Sequence, residues 1–176
     1  MLLARQGTTV LALDADPDAN LAAALGMSPE MQKSITPIAE HRAMIEERTG
    51  AKVRQYGQIF KLNPEVSDLS DRFAVTCNGV ALLVLGAIES GGSGCACPEN
   101  VIASSLIADL VLYKNQSLII DMEAGLEHLG RATARAVGLM LVVVEPGSPS
   151  INAARMVKRL AADIGLGQVA VVANKV

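Results

Sequence analysis

Five stretches of the chain are continuous apolar runs: 8–13 (TTVLAL), 80–85 (VALLVL), 117–120 (SLII), 139–144 (LMLVVV) and 169–173 (VAVVA). Their length and their β-branched and aliphatic content predict strands, with 80–85 and 117–120 expected to be buried. Between them the apolar period changes. Ile102, Leu106 and Leu110 recur every four residues within 98–113, and Ala153, Val157, Leu160, Ala161 and Ile164 mark one face of 150–164. Both segments are predicted helices. Strands alternating with helices imply right-handed crossovers, so the expected class is α/β, a mostly parallel sheet with helices on both faces.

The rest of the chain carries a weaker pattern. Residues 1–7 predict the last turns of an amphipathic helix stopped by Gly7, with nothing before it to start that helix, so the beginning is expected to be truncated. Thr36 and Pro37 are placed to open a helix that Gly50 ends, with Glu40, Arg42, Glu46, Glu47 and Arg48 mostly solvated. His41 has no Cys, His or second acid at ligand spacing and is expected on the exposed surface. From about 51 to 76 the chain is expected to be a loop-rich insertion around Asn63-Pro64 that carries Tyr56, Phe60 and Phe73. Such aromatics either pin an insertion to the core or form part of a partner surface.

Composition narrows the class. At 176 residues, 51% hydrophobic but only 2% aromatic, the chain is expected to be a single domain whose core is Ala, Val, Leu and Ile in thin layers. A formal charge of −3 gives no electrostatic case for a nucleic-acid partner. Three cysteines, an odd number, without a signal-like start argue against a secreted disulfide scaffold and for a cytoplasmic protein. No apolar run reaches the roughly 18 to 20 residues of a membrane span.

Candidate chemistry lies at the ends of the predicted strands. Asp121 closes the run 117–120 immediately before a Gly-containing turn, where α/β proteins hold metal ions and phosphates; a helix-capping Asp is the plain alternative. Asp14 and Asp16 in DADPDAN are alternate acids after the first strand, suited to a divalent ion or an attacking water, although Asx and Pro are also ordinary turn formers there. In ESGGSGCACPEN, Gly91, Gly92 and Gly94 permit a tight loop, and Cys95 and Cys97 can point the same way. Pro98 suits the first helical position, which makes Cys97 the N-cap, where the helix dipole favours the thiolate. One CxC supplies two ligands where Zn²⁺ usually takes four, so two copies across a two-fold axis would complete a site. Incidental loop cysteines are the alternative. Cys77, without a partner at motif spacing, is expected as a buried small hydrophobe.

Together DADPDANL, KLNPEVSD, ESGGSGCACPEN, DMEAGLEHLGRAT, VVVEP and VANKV resemble the CooC-type nickel-insertion ATPases of carbon monoxide dehydrogenase maturation. These belong to the MinD, ParA and nitrogenase iron protein group of deviant P-loop ATPases. The resemblance implies a P-loop NTPase fold of the SIMIBI, MinD-like type, a homodimer, ATP, Mg²⁺ and a nickel or zinc cargo. It implies carbon monoxide dehydrogenase or a related nickel enzyme as client. It places Asp14 and Asp16 in the first switch, with Asp16 as partner of the attacking water, and Asp121 at the Walker B position. Glu123 and Gly125 then open the second switch, with Glu127, His128 and Arg131 in the same segment. Asn174 matches the adenine-recognising position, and Cys95 and Cys97 match the dimer-interface metal ligands.

The chain departs from this family in one respect. It contains no Gly-rich run ending in Lys-Thr or Lys-Ser, so the phosphate cradle and the first strand of the sheet are expected to be missing, and the 176 residues alone to be inactive as an ATPase. The end at Val176 is likewise expected to be a truncation. Two other classes compete. An iron-sulfur reductase like the nitrogenase iron protein needs a second cysteine, which 121–135 lacks, and a MinD- or ParA-like positioning ATPase has no use for the CxC.

Overall fold

A strand with no polar side chain before its last residue is suited to lie between two covering layers. β1 (Val10–Asp14) does: all five of its residues are buried. The computed structural model describes residues 1–53, 55, 57–87, 98–113, 116–122 and 131–175. β2 (Val75–Cys77), β3 (Val80–Val84) and β4 (Ser117–Asp121) join β1 in a four-stranded sheet of order β2-β3-β1-β4. β3 and β4 run parallel to β1, and the register sets Asp14 level with Val84 on one side and with Asp121 on the other. β2 is antiparallel to β3. The two are joined through Asn78 and Gly79 at φ +50° and +76°, the left-handed pair that an Asn-Gly hairpin turn needs.

The two faces of this sheet are covered by different elements. Val10, Ala12, Val80, Leu82 and Val84 share one face and form a core with Met27 and with Ala22 and Leu25 from α2 (Leu21–Ala24) and its C-cap. Ala4 of α1 (Leu2–Arg5) packs against the same cluster. Leu11, Leu13 and Leu83 have the opposite parity and are buried as well. The other large fully buried side chains are Ile38, Leu69, Ile45 of α4 (Arg42–Thr49) and Ile102, Leu106, Ile107 and Leu110 of α6 (Pro98–Tyr113), and α4 and α6 are in mutual contact. Each such Leu or Ile contributes about 1.5–3 kcal/mol by leaving water.

The chain divides into two compact units, Met1–Glu123 and Ala124–Val176. The second contains α7 (Arg131–Ala136), β5 (Met140–Val144), α8 (Ser148–Ile164) and β6 (Val169–Ala173). β5 and β6 pair in parallel from Met140 opposite Val169 to Val144 opposite Ala173, and α8 touches both. Gly165 ends α8 at φ +84°. Among the described residues no helix is long and apolar enough to cross a membrane.

Three local expectations change. The helix expected over 36–49 is a 3-10 turn at Ile38–Glu40 followed by α4, interrupted at His41 (φ −78°, ψ 62°). His41 is half-buried rather than exposed, because the ring of Phe73 lies 4.3 Å from its own and its Nε2 donates to the Thr36 carbonyl at 3.3 Å. The segment 51–76 is less irregular than its sequence predicts, since it contains α5 (Leu69–Phe73) and runs into β2. Arg48 on α4 bonds Asp68 at 2.9 Å and the Glu65 carbonyl at 3.0 Å, which ties the end of this segment to the body. α3 (Pro29–Ser34), capped by the Ser28 hydroxyl accepting from Met31 N at 3.3 Å, also lies outside the predicted set.

Candidate functional site

Parallel strands that end level with one another place their last side chains along one edge. Asp14 and Asp121 are register partners on β1 and β4, so both acids stand at the carboxyl edge of the first sheet. Backbone bonds hold that edge together. Ala15 N donates to the Asp121 carbonyl at 2.9 Å, and Leu85 N donates to the Asp14 carbonyl at 2.8 Å, so the ends of β3, β1 and β4 are linked in a row.

The three acids have different surroundings. Asp14 has no solvent exposure: Oδ2 accepts from Leu21 N at 2.9 Å and Oδ1 from Asp16 N at 3.3 Å. Both of its oxygens are therefore engaged in folding the 15–20 loop back onto the strand end and fixing the start of α2. Asp16 is half-buried in that loop, and its Oδ1 accepts from Asp18 N at 2.8 Å, an Asx turn. Asp14 and Asp16 are thus not two acids pointing the same way from an extended strand; one anchors the turn and the other lies within it. Asp121 is exposed.

Burial pushes the Asp14 carboxyl above its usual range. The Leu21 and Asp16 amides oppose that shift, and the nearby Asp121 and Asp16 carboxylates reinforce it. A buried acid with two acidic neighbours is an environment that a cation relieves. The donors are all carboxylates, which suits a hard ion such as Mg²⁺. Among the described residues no group of three or more His, Cys, Asp or Glu is placed to hold a metal ion. Mg²⁺ in general uses one or two carboxylates and takes its other ligands from water and phosphates. Asp121 and Asp16 are the acids here able to serve it, since Asp14 is committed to backbone amides.

Asn174 follows β6 in the second unit, where its backbone N–H donates to the Val144 carbonyl at 2.8 Å and its neighbour Lys175 pairs with Glu145. The Asn174 residue is exposed. Cys95, Cys97, Glu123, Gly125, Glu127 and His128 lie outside the described residues. Pro98 does open α6, as its position after Cys97 predicts. Cys77 is half-buried in β2 against the core, its Sγ 4.0 Å from the Leu25 carbonyl, in keeping with a small hydrophobe.

Two contributors to this edge escape sequence reasoning. One is the Leu21 amide, a backbone group with no sequence signal beyond the Asp-rich turn before it. The other is Gly86, just beyond β3 at φ +83°, where an added Cβ would lie 2.5 Å from Cβ of Pro37. Both its conformation and the approach of Pro37 exclude a side chain there. A glycine directly after a buried strand is the signal that could have found it.

No protein-family model matches the chain. It is 44% identical over 175 residues to an uncharacterized ATP-binding protein of Methanocaldococcus jannaschii, covering 99% of this chain and 66% of that protein. It is 42% identical over 173 residues to the carbon monoxide dehydrogenase accessory protein CooC of Rhodospirillum rubrum, covering 98% of this chain and 65% of that one. The chain thus spans about two-thirds of the length of these curated relatives. Among solved structures, the MinD cell division protein of Aquifex aeolicus aligns with 99% of this chain and 59% of its own at a TM-score of 0.58 and 20% identity. The MinC:MinD complex from the same organism gives 0.61 at 18% identity over the same shares. Both show the MinD-like α/β fold.

Proposed function

This chain belongs to the CooC-type branch of the MinD and ParA group of ATPases, and on that footing we propose that it works as an ATP-dependent metallochaperone for carbon monoxide dehydrogenase or a related nickel enzyme. The observation that carries this reading is the tied pair of strand ends, Asp14 and Asp121 level on β1 and β4 with Ala15 N bonded to the Asp121 carbonyl. Asp121 would hold Mg²⁺, which when bound neutralises phosphate charge. Asp16 orients the attacking water, and Asp14 keeps the Asp16 loop in place through the Leu21 and Asp16 amides. Asn174 recognises adenine.

Nickel or zinc is the cargo, taken by Cys95 and Cys97 of two copies. The chain running from Asp121 through Glu123 and Gly125 is the second switch, so a change of nucleotide at Asp121 is passed along the segment that follows it. A cytoplasmic homodimer is the working form.

The test uses the full-length protein. Asp16→Asn should leave ATP binding within a few-fold and slow hydrolysis by about a hundredfold or more; equal loss of both would make Asp16 a structural residue only. Metal titration should give one Ni²⁺ or Zn²⁺ per two chains, abolished by Cys95→Ala or Cys97→Ala and untouched by Cys77→Ala. One metal per chain, indifferent to Cys95→Ala, would refute the shared site.

A further inference from the structure

The carboxyl edge of the first sheet is tied by more than its own strands. Beside the bonds from Ala15 N to the Asp121 carbonyl and from Leu85 N to the Asp14 carbonyl, the row goes on past β3, where Ala39 N donates to the Leu85 carbonyl at 3.0 Å. Residues 36–41, far in sequence from Asp14 and Asp121, are therefore a fourth member of the edge. This turn has little freedom to yield. Pro37 holds its φ at −59°, Glu40 N and His41 N donate to the Pro37 and Ile38 carbonyls at 3.0 and 3.1 Å, and Ile38 is 1% exposed.

Gly86 is where the turn meets the strand. It follows the buried Leu85, and a Cβ on it would stand 2.5 Å from Cβ of Pro37, 3.4 Å from its Cγ and 3.7 Å from Cβ of Ala39. The first distance is far below the roughly 3.5–4.0 Å of a carbon–carbon contact. Because Pro37 Cβ belongs to a ring closed on the backbone, no change of rotamer relieves it. A side chain at Gly86 thus displaces either the turn or the end of β3. If the end of β3 moves, the Leu85 amide moves relative to the Asp14 carbonyl, and the end of β1 loses its fixed height beside Asp121.

We propose that Gly86 and Pro37 are positioning residues for the hydrolytic step, their close contact setting, through Leu85, the height of Asp14 and of the Asp16 loop against Asp121; the proposal rests on the ATPase reading above. Neither residue touches the reacting atoms. Asp14 holds the loop by accepting from Asp16 N and Leu21 N, so a shift at the end of β1 is passed straight to Asp16. In-line attack by a water is sensitive to such a shift, since a misplacement of about 1 Å caused far from the chemistry costs on the order of a hundredfold in rate. A contact that serves only the geometry of attack shows itself in kcat rather than in KM.

The experiment measures ATP hydrolysis and thermal midpoint of the full-length protein with Gly86→Ala, with Pro37→Gly and with both, and uses Leu110→Ala as a purely destabilising control. Gly86→Ala should lower kcat by about tenfold or more with KM for ATP within about threefold. The double variant removes the opposing Cβ and should recover about threefold or more over Gly86→Ala, although φ +83° still disfavours alanine. Leu110, 1% exposed in α6, should on truncation lower the midpoint and leave kcat of the folded protein unchanged. A Gly86→Ala protein that loses stability but keeps its kcat makes the contact structural only and refutes the proposal, as does a change confined to KM or a double variant no better than Gly86→Ala. Should Gly86→Ala not fold, Pro37→Gly alone decides: a fall in kcat of about threefold or more at unchanged KM supports the proposal, and an unchanged kcat overturns it. A wild-type protein that does not hydrolyse ATP overturns the ATPase reading and this proposal with it.

Discussion

β1 and β3 in the first unit and β5 and β6 in the second have equal lengths and similar sequences, VLALD and VALLV against MLVVV and VAVVA. Their surroundings differ sharply. Every residue of β1 is buried, and β3 is buried except at Ala81. β5 instead alternates between half-buried and exposed, and β6 has no buried residue. The register puts Leu141 beside Ala170 and Val143 beside Val172 on one face, and Leu141, Val143 and Val172 are 59%, 60% and 41% exposed. Met140, Val142 and Val144 have the other parity and are half-buried, while Val171, beside Val142, is 61% exposed; α8 touches both strands. An apolar run therefore secures a strand, while its burial depends on how many faces have a covering layer.

The largest expected effect follows directly. Leu82→Ala, in β3 between the two layers, should lower the free energy of unfolding by about 2–5 kcal/mol, whereas Val143→Ala should change it by no more than about 0.5 kcal/mol. Urea midpoints of the two variants measure the difference, and equal losses would break the contrast between the units. Hydrogen exchange sharpens it. Amides of β1 and β3 should exchange only through global unfolding, and those of β5 and β6 through smaller, local openings. Protection as strong in β5 as in β1 would show that exposure of these side chains does not govern local stability.

A smaller effect concerns pH within the first unit. The folded state holds the Asp14 proton more tightly than the unfolded chain does, because burial raises its carboxyl above the usual value. The stability this supplies is fully present below the ordinary carboxylate range and is lost as pH rises through the raised value. Asp14→Asn removes that slope and also gives up one acceptor for a backbone amide, worth about 1–3 kcal/mol. The variant should therefore be less stable than the wild type at low pH, with the gap narrowing as pH rises, as followed by thermal midpoints. A gap that widens with pH would mean that Asp14 is ionised and stabilising.

The smallest effect has the opposite sign. Burial works to raise the Asp68 carboxyl, but bonds from Arg48 at 2.9 Å and Arg72 at 3.2 Å outweigh it and hold the group below its usual value. Its contribution is present above the ordinary carboxylate range and fades as pH falls through the lowered value. With Asp68 at 38% side-chain exposure, Asp68→Ala should cost only about 0.2–1 kcal/mol. A loss above that range in urea titrations would identify the link from α4 to α5 as part of the core.

Much of this architecture is legible without coordinates. Apolar runs locate β1, β3, β4, β5 and β6 to within a residue or two, and the period of Ile102, Leu106 and Leu110 locates α6, because these signals are local and repeated. The short elements are not legible that way. α2 and α5 span four and five residues, too few for a periodic signal, and exist because Ala22, Leu25 and Leu69 are buried by the rest of the unit. The Asn78-Gly79 turn was available as a hairpin signal, and it joins Cys77 directly to Val80, its register partner in β3.

By itself the sequence determined the α/β class, the alternation of strands and helices, and the presence of Asp14, Asp16 and Asp121 just where strands end, since each depends on residue types a few positions apart. Tertiary structure alone decided that Asp14 is wholly buried beneath its own loop, that Asp121 stands level with it, and that Ala39 is bonded to the end of β3. These outcomes rest on backbone groups and on pairings between segments far apart in the chain, where the partner's position is settled only when all the layers pack at once.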